Sequence, residues 1–310
     1  MTSAFLRSRP THGLVLAGLV LLGCQAVAQE QPRLSKPSRS SFDGQWNRGL
    51  AEVTTYDLEQ ARYGEIHRGQ AVLIYVTEDL SAAKQVKLDR PDLNPADAVR
   101  VLKLNTTKKF YTGVYPYSVM QSTFTPVDRR AHPRTLKSTM SSQEWCGHVF
   151  TQANLRGNEY VIDAYSYFES EGDTEERFAG AMLEDELWTL VRIDPSALPT
   201  GSVKMLPGFV HSRLRHVPLR VENAKATLTR GRFAGTSVAS YTVDYPRLNR
   251  SLTLHFEESF PHAVVGFEER QQSRGKTLTT RGTRSKSKMI DYWNRNGVAD
   301  GALRAEMGLE

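Results

Sequence analysis

Most of the chain is written in short stretches where apolar and polar residues alternate, and this rhythm restricts the fold more than any other feature. Residues 70–77 (QAVLIYVT) are almost wholly apolar and β-branched, the pattern of a strand covered on both faces. At 251–256 (SLTLHF), Leu252, Leu254 and Phe256 share the inward face, while Thr253 and His255 point outward. Ala224, Ala226 and Leu228 alternate with Lys225 and Thr227, and Val217, Leu219 and Val221 alternate with Pro218 and Arg220. Further strands are expected at 99–104, 160–168, 264–270 and 276–283. Between them lie turn signals: GEIHRG at 64–69 as a hairpin loop, DRPDLNPAD at 89–97, a basic loop at 126–133, an acidic loop at 169–176, and QSRG at 272–275. Short strands at near-regular spacing predict a mainly β fold, a curved antiparallel sheet or open β-barrel with one or two short helices. One helix is expected at 181–192, where Leu183, Leu187, Leu190 and Val191 fall on one face before Asp194-Pro195. The other is the end of the chain, with Asp300 as N-cap.

The N-terminus has the form of an export signal. Arg7 and Arg9 precede an apolar run at 13–23 that is too short to span a bilayer as a helix. It closes in Leu21-Leu22-Gly23-Cys24, which resembles the lipobox of bacterial lipoproteins and makes Cys24 the expected lipidation site. The rival is plain secretory cleavage after Ala26-Val27-Ala28. The expected organisation is a lipoprotein signal peptide at 1–23, a Pro/Ser-rich tether at 24–41 and a single β-rich domain at 42–310. Gln25 after the lipobox cysteine points, by resemblance to lipoprotein sorting, to the outer membrane facing the periplasm. Plain cleavage would instead leave a soluble periplasmic protein.

Without Arg7 and Arg9 the formal charge falls from +6 to +4, which suits a neighbourhood of anionic lipid and gives no reason to expect nucleic acid. With Cys24 lipidated, Cys146 has no disulfide partner in the chain, and its apolar neighbours Trp145 and Val149 suggest a buried, structural thiol. Glycine-rich phosphate loops, H-E-x-x-H and G-x-S-x-G are all missing from the sequence. Cys146 and His148 followed by His211 and His216 match no zinc spacing, so neither a metal nor a cofactor is expected.

The densest aromatic cluster is 108–152, with Phe110, Tyr111, Tyr115, Tyr117, Phe124, Trp145 and Phe150. Pro116 cannot donate to a ladder and argues against a central strand there. Tyr115, Tyr117, Gln143, Glu144, Trp145 and His148 are candidates to line a pocket for an amphipathic ligand. Arg213, Arg215 and His216, in SRLRH read as a strand, would place two guanidiniums on one face for an anionic group.

WNRGLAEVTTYDLEQARYGE, VLKLNTTKKFYTGVYPYSVMQSTF, SSQEWCGHVFTQ, SRLRH and the terminal DYWNRN together resemble a group of exported bacterial proteins of unknown role. Some members carry the label "septum formation inhibitor Maf". The resemblance covers most of the chain and transfers no catalytic residue. True Maf proteins are cytosolic α/β nucleotide pyrophosphatases with a Ser-Pro-Arg-Arg-type loop, whereas this chain reads as exported and β-rich.

The expected function is therefore that of a non-enzymatic cell-envelope lipoprotein. Its partners would be the membrane, through the lipid anchor, and an amphipathic ligand or an envelope protein. The alternative is a periplasmic hydrolase around Glu144, Cys146 and His148, which would share one strand face if Cys146 lay in a strand.

Overall fold

The computed structural model describes residues 1–2 and 34–309, so Cys24, the expected signal peptide and most of the tether lie outside the described residues. Where the tether was expected to continue to residue 41, helix α1 (Arg39–Trp46) has already begun, capped by Ser38, and it buries Phe42 and Trp46. Among the described residues the strands form one sheet of fifteen. The first eight are β1 (Ala51–Arg62), β2 (Glu65–Ser81), β3 (Ala98–Thr112), β4 (Tyr115–Pro126), β5 (Lys137–Glu144), β6 (Gly147–Arg156), β7 (Glu159–Tyr165) and β8 (Thr174–Ala179). After β9 (Met182–Leu183) comes α2 (Leu187–Ile193), then β10 (Gly201–Leu206) and α3 (Phe209–Arg215). The rest are β11 (Glu222–Phe233), β12 (Thr236–Tyr245), β13 (Arg250–Phe256), β14 (Val264–Ser273), β15 (Lys276–Ile290) and α4 (Gly301–Glu306).

Two meanders meet at β1. The sheet order is β8 through β1 in descending number, then β15 descending to β9, antiparallel except for the β9–β10 pair. It is a mainly β, curved and unclosed sheet, not the layered α/β fold of a Maf pyrophosphatase. The curvature follows from contacts. Lys108 of β3 and Phe267 of β14 are four strand spacings apart in the sheet, roughly 19 Å along a flat surface. Even so, the Lys108 ammonium lies 5.1 Å from the centre of the Phe267 ring. Glycine permits part of this bend: the Phe267 ring lies on the backbone of Gly282, where any side chain would collide with it. The sheet's two edges, β8 and β9, are joined by Gly180 and Ala181 alone, which holds them within about 11 Å at that point.

Each strand presents alternate residues to the interior, where α2 and α3 fill the space. Leu183, Leu187, Leu190 and Val191 are all buried there, as their spacing requires. The helix expected at 181–192 is shorter than predicted, because Met182 and Leu183 pair with Met205 and Leu206 before a 3-10 turn at Glu184–Glu186. Pro116 is tolerated in β4 because the β5 ladder begins one residue later, at the Tyr117–Glu144 pair. His255 points outward as expected but is buried, since Phe233 stacks on it at 4.2 Å. One loop and one strand were misplaced. The hairpin at 64–69 is a tight turn at Tyr63 and Gly64, with β2 starting at Glu65, and 217–221 is coil between α3 and β11.

Antiparallel order puts the turns after β1, β3, β5, β7 and β14, together with the α3 segment, at one end of the sheet, the upper end. The opposite, lower end is closed by α1, where Trp46 packs 6.1 Å from Tyr75.

Candidate functional site

The SRLRH segment is helical, not extended. Phe209, Val210 and Leu214 need burial at helical spacing, and His216 takes the left-handed conformation (φ 52°) that ends α3. Arg213 and Arg215 therefore do not share a face. Arg213 is buried and turned toward β5, whereas Arg215 is half-exposed on another side of the helix.

Arg213 organises a charged cluster at the upper end. Its Nη2 donates to Glu144 Oε1 at 2.5 Å, and its Nη1 lies 3.7 Å from Glu171 Oε1. Its guanidinium also stacks 4.7 Å from the centre of Phe168. Glu144, on the inward face of β5, accepts from Ser142 Oγ at 3.2 Å and from the Tyr115 hydroxyl at 3.1 Å. The Tyr115 oxygen in turn accepts the Cys146 amide at 2.8 Å. His216 Nδ1 sits 2.5 Å from Glu171 Oε1. Burial raises the Glu171 pKa, but the bonds from Ser166 and His216 and the charge of Arg213 more than offset this, and the carboxyl stays below its usual range. Arg62, at the end of β1, donates to Tyr117 at 3.3 Å and to the carbonyl of Leu214, and so ties α3 to the sheet. The Tyr63 and Tyr117 hydroxyls bond at 2.7 Å.

The structure thus brings Tyr115, Tyr117, Glu144, Arg213 and His216 into one constellation, with Trp145 against Tyr115 at 5.9 Å. Gln143 and His148 are excluded from it. They face each other across β5–β6, exposed on the outer surface. Cys146 corrects two expectations. It occupies the two-residue turn with Trp145 instead of a strand, and its thiol is exposed, not structural. Sequence reading missed Arg62, Tyr63, Phe168 and Glu171. The first two precede a hairpin glycine, Phe168 stood at the end of the strand expected at 160–168, and Glu171 lay in the acidic loop at 169–176.

Below this cluster lies a cleft of about 310 Å³ between the inner face of β5–β8 and α3. Met140, Val149, Phe209 and Leu219 give it apolar walls, and Ser166, Glu171, Arg213 and His216 a polar side. It exists because β8 has no strand partner on its outer side, and the segment running from α3 into the following coil stands there instead.

A second constellation lies deep inside. Arg250 bonds Glu184 through both Nη atoms, one at 2.7 Å, and Glu269 through Nε at 2.6 Å. His211 lies 3.1 Å from Glu269. Together with Lys108 and Asp185 these groups line a space of about 40 Å³, room for a few waters and no organic ligand. Burial, and secondarily Glu184, push Asp185 up to about 7. Between about pH 4 and that value the folded state holds a proton that the unfolded state has released, so stability falls as pH rises through this window. Asp185→Asn should flatten that slope and stabilise the protein above pH 7 by about 1–3 kcal/mol, read from urea melts across pH. An unchanged slope would assign the titration to another group.

No protein-family model, no curated protein and no solved structure matches the chain.

Proposed function

We propose that this is a non-enzymatic cell-envelope binding protein that holds an amphipathic ligand in the cleft between β8 and α3. The observation that carries the reading is the cleft itself: about 310 Å³, apolar on its walls and bordered by a fixed arginine, histidine and glutamate. That volume is at the lower end of ligand pockets and suits one chain or head group better than a whole two-chain lipid. The lipobox at Cys24 supports anchoring in the envelope, where such ligands are abundant.

The hydrolase alternative draws no support from the geometry. Glu144 is engaged by Arg213, Ser142 and Tyr115, Cys146 sits in a turn, and His148 points away on the outer face.

Ala164 lines the cleft from β7, so Ala164→Trp should fill it. The variant is expected to weaken binding of a fluorescent fatty acid by at least about tenfold, with stability changed by less than about 1 kcal/mol. Native mass spectrometry of the protein purified from envelopes should show a lipid or glycan on the wild type and not on the variant. Equal probe affinity in both proteins would refute the cleft as the binding site.

A further inference from the structure

We propose that the upper end of the sheet is a docking surface for an anionic lipid bilayer. Its hairpin tips carry large apolar side chains held out in solvent: Tyr111 is 65% exposed, Val114 82%, Trp145 69% and Tyr167 66%. Tyr63 and Tyr165 belong to the same end, whereas the remaining exposed aromatics among the described residues, Tyr292 and Trp293, follow β15 at the other. Tyr63, Trp145 and Tyr167 are tied into side-chain networks. Arg274 stacks on Tyr63, Tyr63 bonds Tyr117, Tyr117 packs on Tyr115 and Tyr115 on Trp145. Beside them Tyr167 lies on the backbone of Gly147 and contacts Phe168, which meets His216.

An exposed aromatic rim of this kind requires an occupant. Charge on the β3 and β14–β15 side, away from the acidic turn after β7, identifies it. Lys109, Arg270, Arg274 and Lys276 stand exposed on the β3 and β14–β15 side of the rim, and among the described residues none of them forms an ion pair. Amphipathic tyrosine and tryptophan at the tips, with unpaired cations beside them, match the head-group layer of an anionic membrane. The cleft is bordered by Tyr165, His216 and Val217 at this same end, so a docked protein would present it to the bilayer. The described fold begins with α1 at the opposite end.

The test uses exported Cys24→Ala protein, which carries no acyl chains, with vesicles of phosphatidylglycerol in phosphatidylcholine. The protein should sediment with them, and binding should fall steeply as salt is raised and be weak on phosphatidylcholine alone. The triple variant Lys109→Gln, Arg274→Gln, Lys276→Gln should bind about 100-fold more weakly, roughly fivefold for each cation lost. Brominated lipid should quench tryptophan emission, and Trp145→Phe should abolish the quenching while retaining most binding. All four substitutions are at exposed positions, and circular dichroism controls for folding. No sedimentation with anionic vesicles would overturn the proposal. Quenching that survives in Trp145→Phe would do the same by placing another face on the lipid. So would rim variants that keep vesicle binding but lose a cross-linked envelope protein, since a protein would then be the occupant.

Discussion

Replacing Arg250 with methionine should destabilise the protein by about 5 kcal/mol, measured by urea unfolding at neutral pH. Arg250 is almost fully buried, and its guanidinium serves two carboxylates, Glu184 and Glu269, that are themselves buried. Removing it leaves two negative charges in the interior, with Lys108 and His211 as the remaining basic groups among the described residues that line this space. The sign of the pH response tests the mechanism. In the wild type burial raises the Glu269 carboxyl, but Arg250 and His211 more than offset this and hold it well below its usual range. That contribution is present above the unfolded pKa and lost as pH falls through the lower folded value. Without Arg250, burial should carry the Glu269 carboxyl above its unfolded value, so the variant should gain stability on acidification from about pH 7 to about pH 5. Adding Glu184→Gln should return part of the loss. A variant that loses under about 1 kcal/mol would mean that the interior reorganises around the missing charge.

The strand rhythm was legible because burial on one face of a curved sheet demands alternation, and Leu252, Leu254 and Phe256 obey it without exception. The α2 face was legible for the same reason at another period. What misled was local pattern where tertiary packing decides. In SRLRH, alternating Arg-Leu-Arg satisfies a strand as well as a helix, and only the upstream Phe209 and Val210 favour the helix. The candidate site was half visible. Tyr115, Tyr117 and Glu144 lie close in sequence to the aromatic signal, but Arg62 and Glu171 reach it only because the sheet curls and α3 crosses to β1. Cys146 looked structural from its neighbours, yet Trp145 beside it is itself held out in a turn. The interior ion network was not foreseen at all. Glu184, Asp185 and Glu186 lie within the helix expected at 181–192, and nothing in their spacing shows that this segment is enclosed by strands.

Arg192→Leu should cost about 3–5 kcal/mol, and adding Glu52→Leu should restore most of it. Arg192 is fully buried and pairs with Glu52 through two bonds, at 2.7 and 2.6 Å. Its Nε donates to the Pro261 carbonyl at 2.7 Å, and its guanidinium lies 4.9 Å from the Trp46 ring centre and 4.6 Å from that of Tyr75. The single change strands Glu52, whose carboxyl burial alone would raise and Arg192 holds down. The double change removes both charges and leaves leucines in a space already walled by aromatic rings. Its residual deficit should be about 1–3 kcal/mol, from the unsatisfied Pro261 carbonyl and the lost contacts with Trp46 and Tyr75. Because Trp46 anchors α1, hydrogen exchange in 39–46 should accelerate more than exchange in β12 or β13 in both variants. A double variant no better than the single would show that the pair contributes through the carbonyl and the stacked rings. The carboxylate left behind would then account for little of the loss.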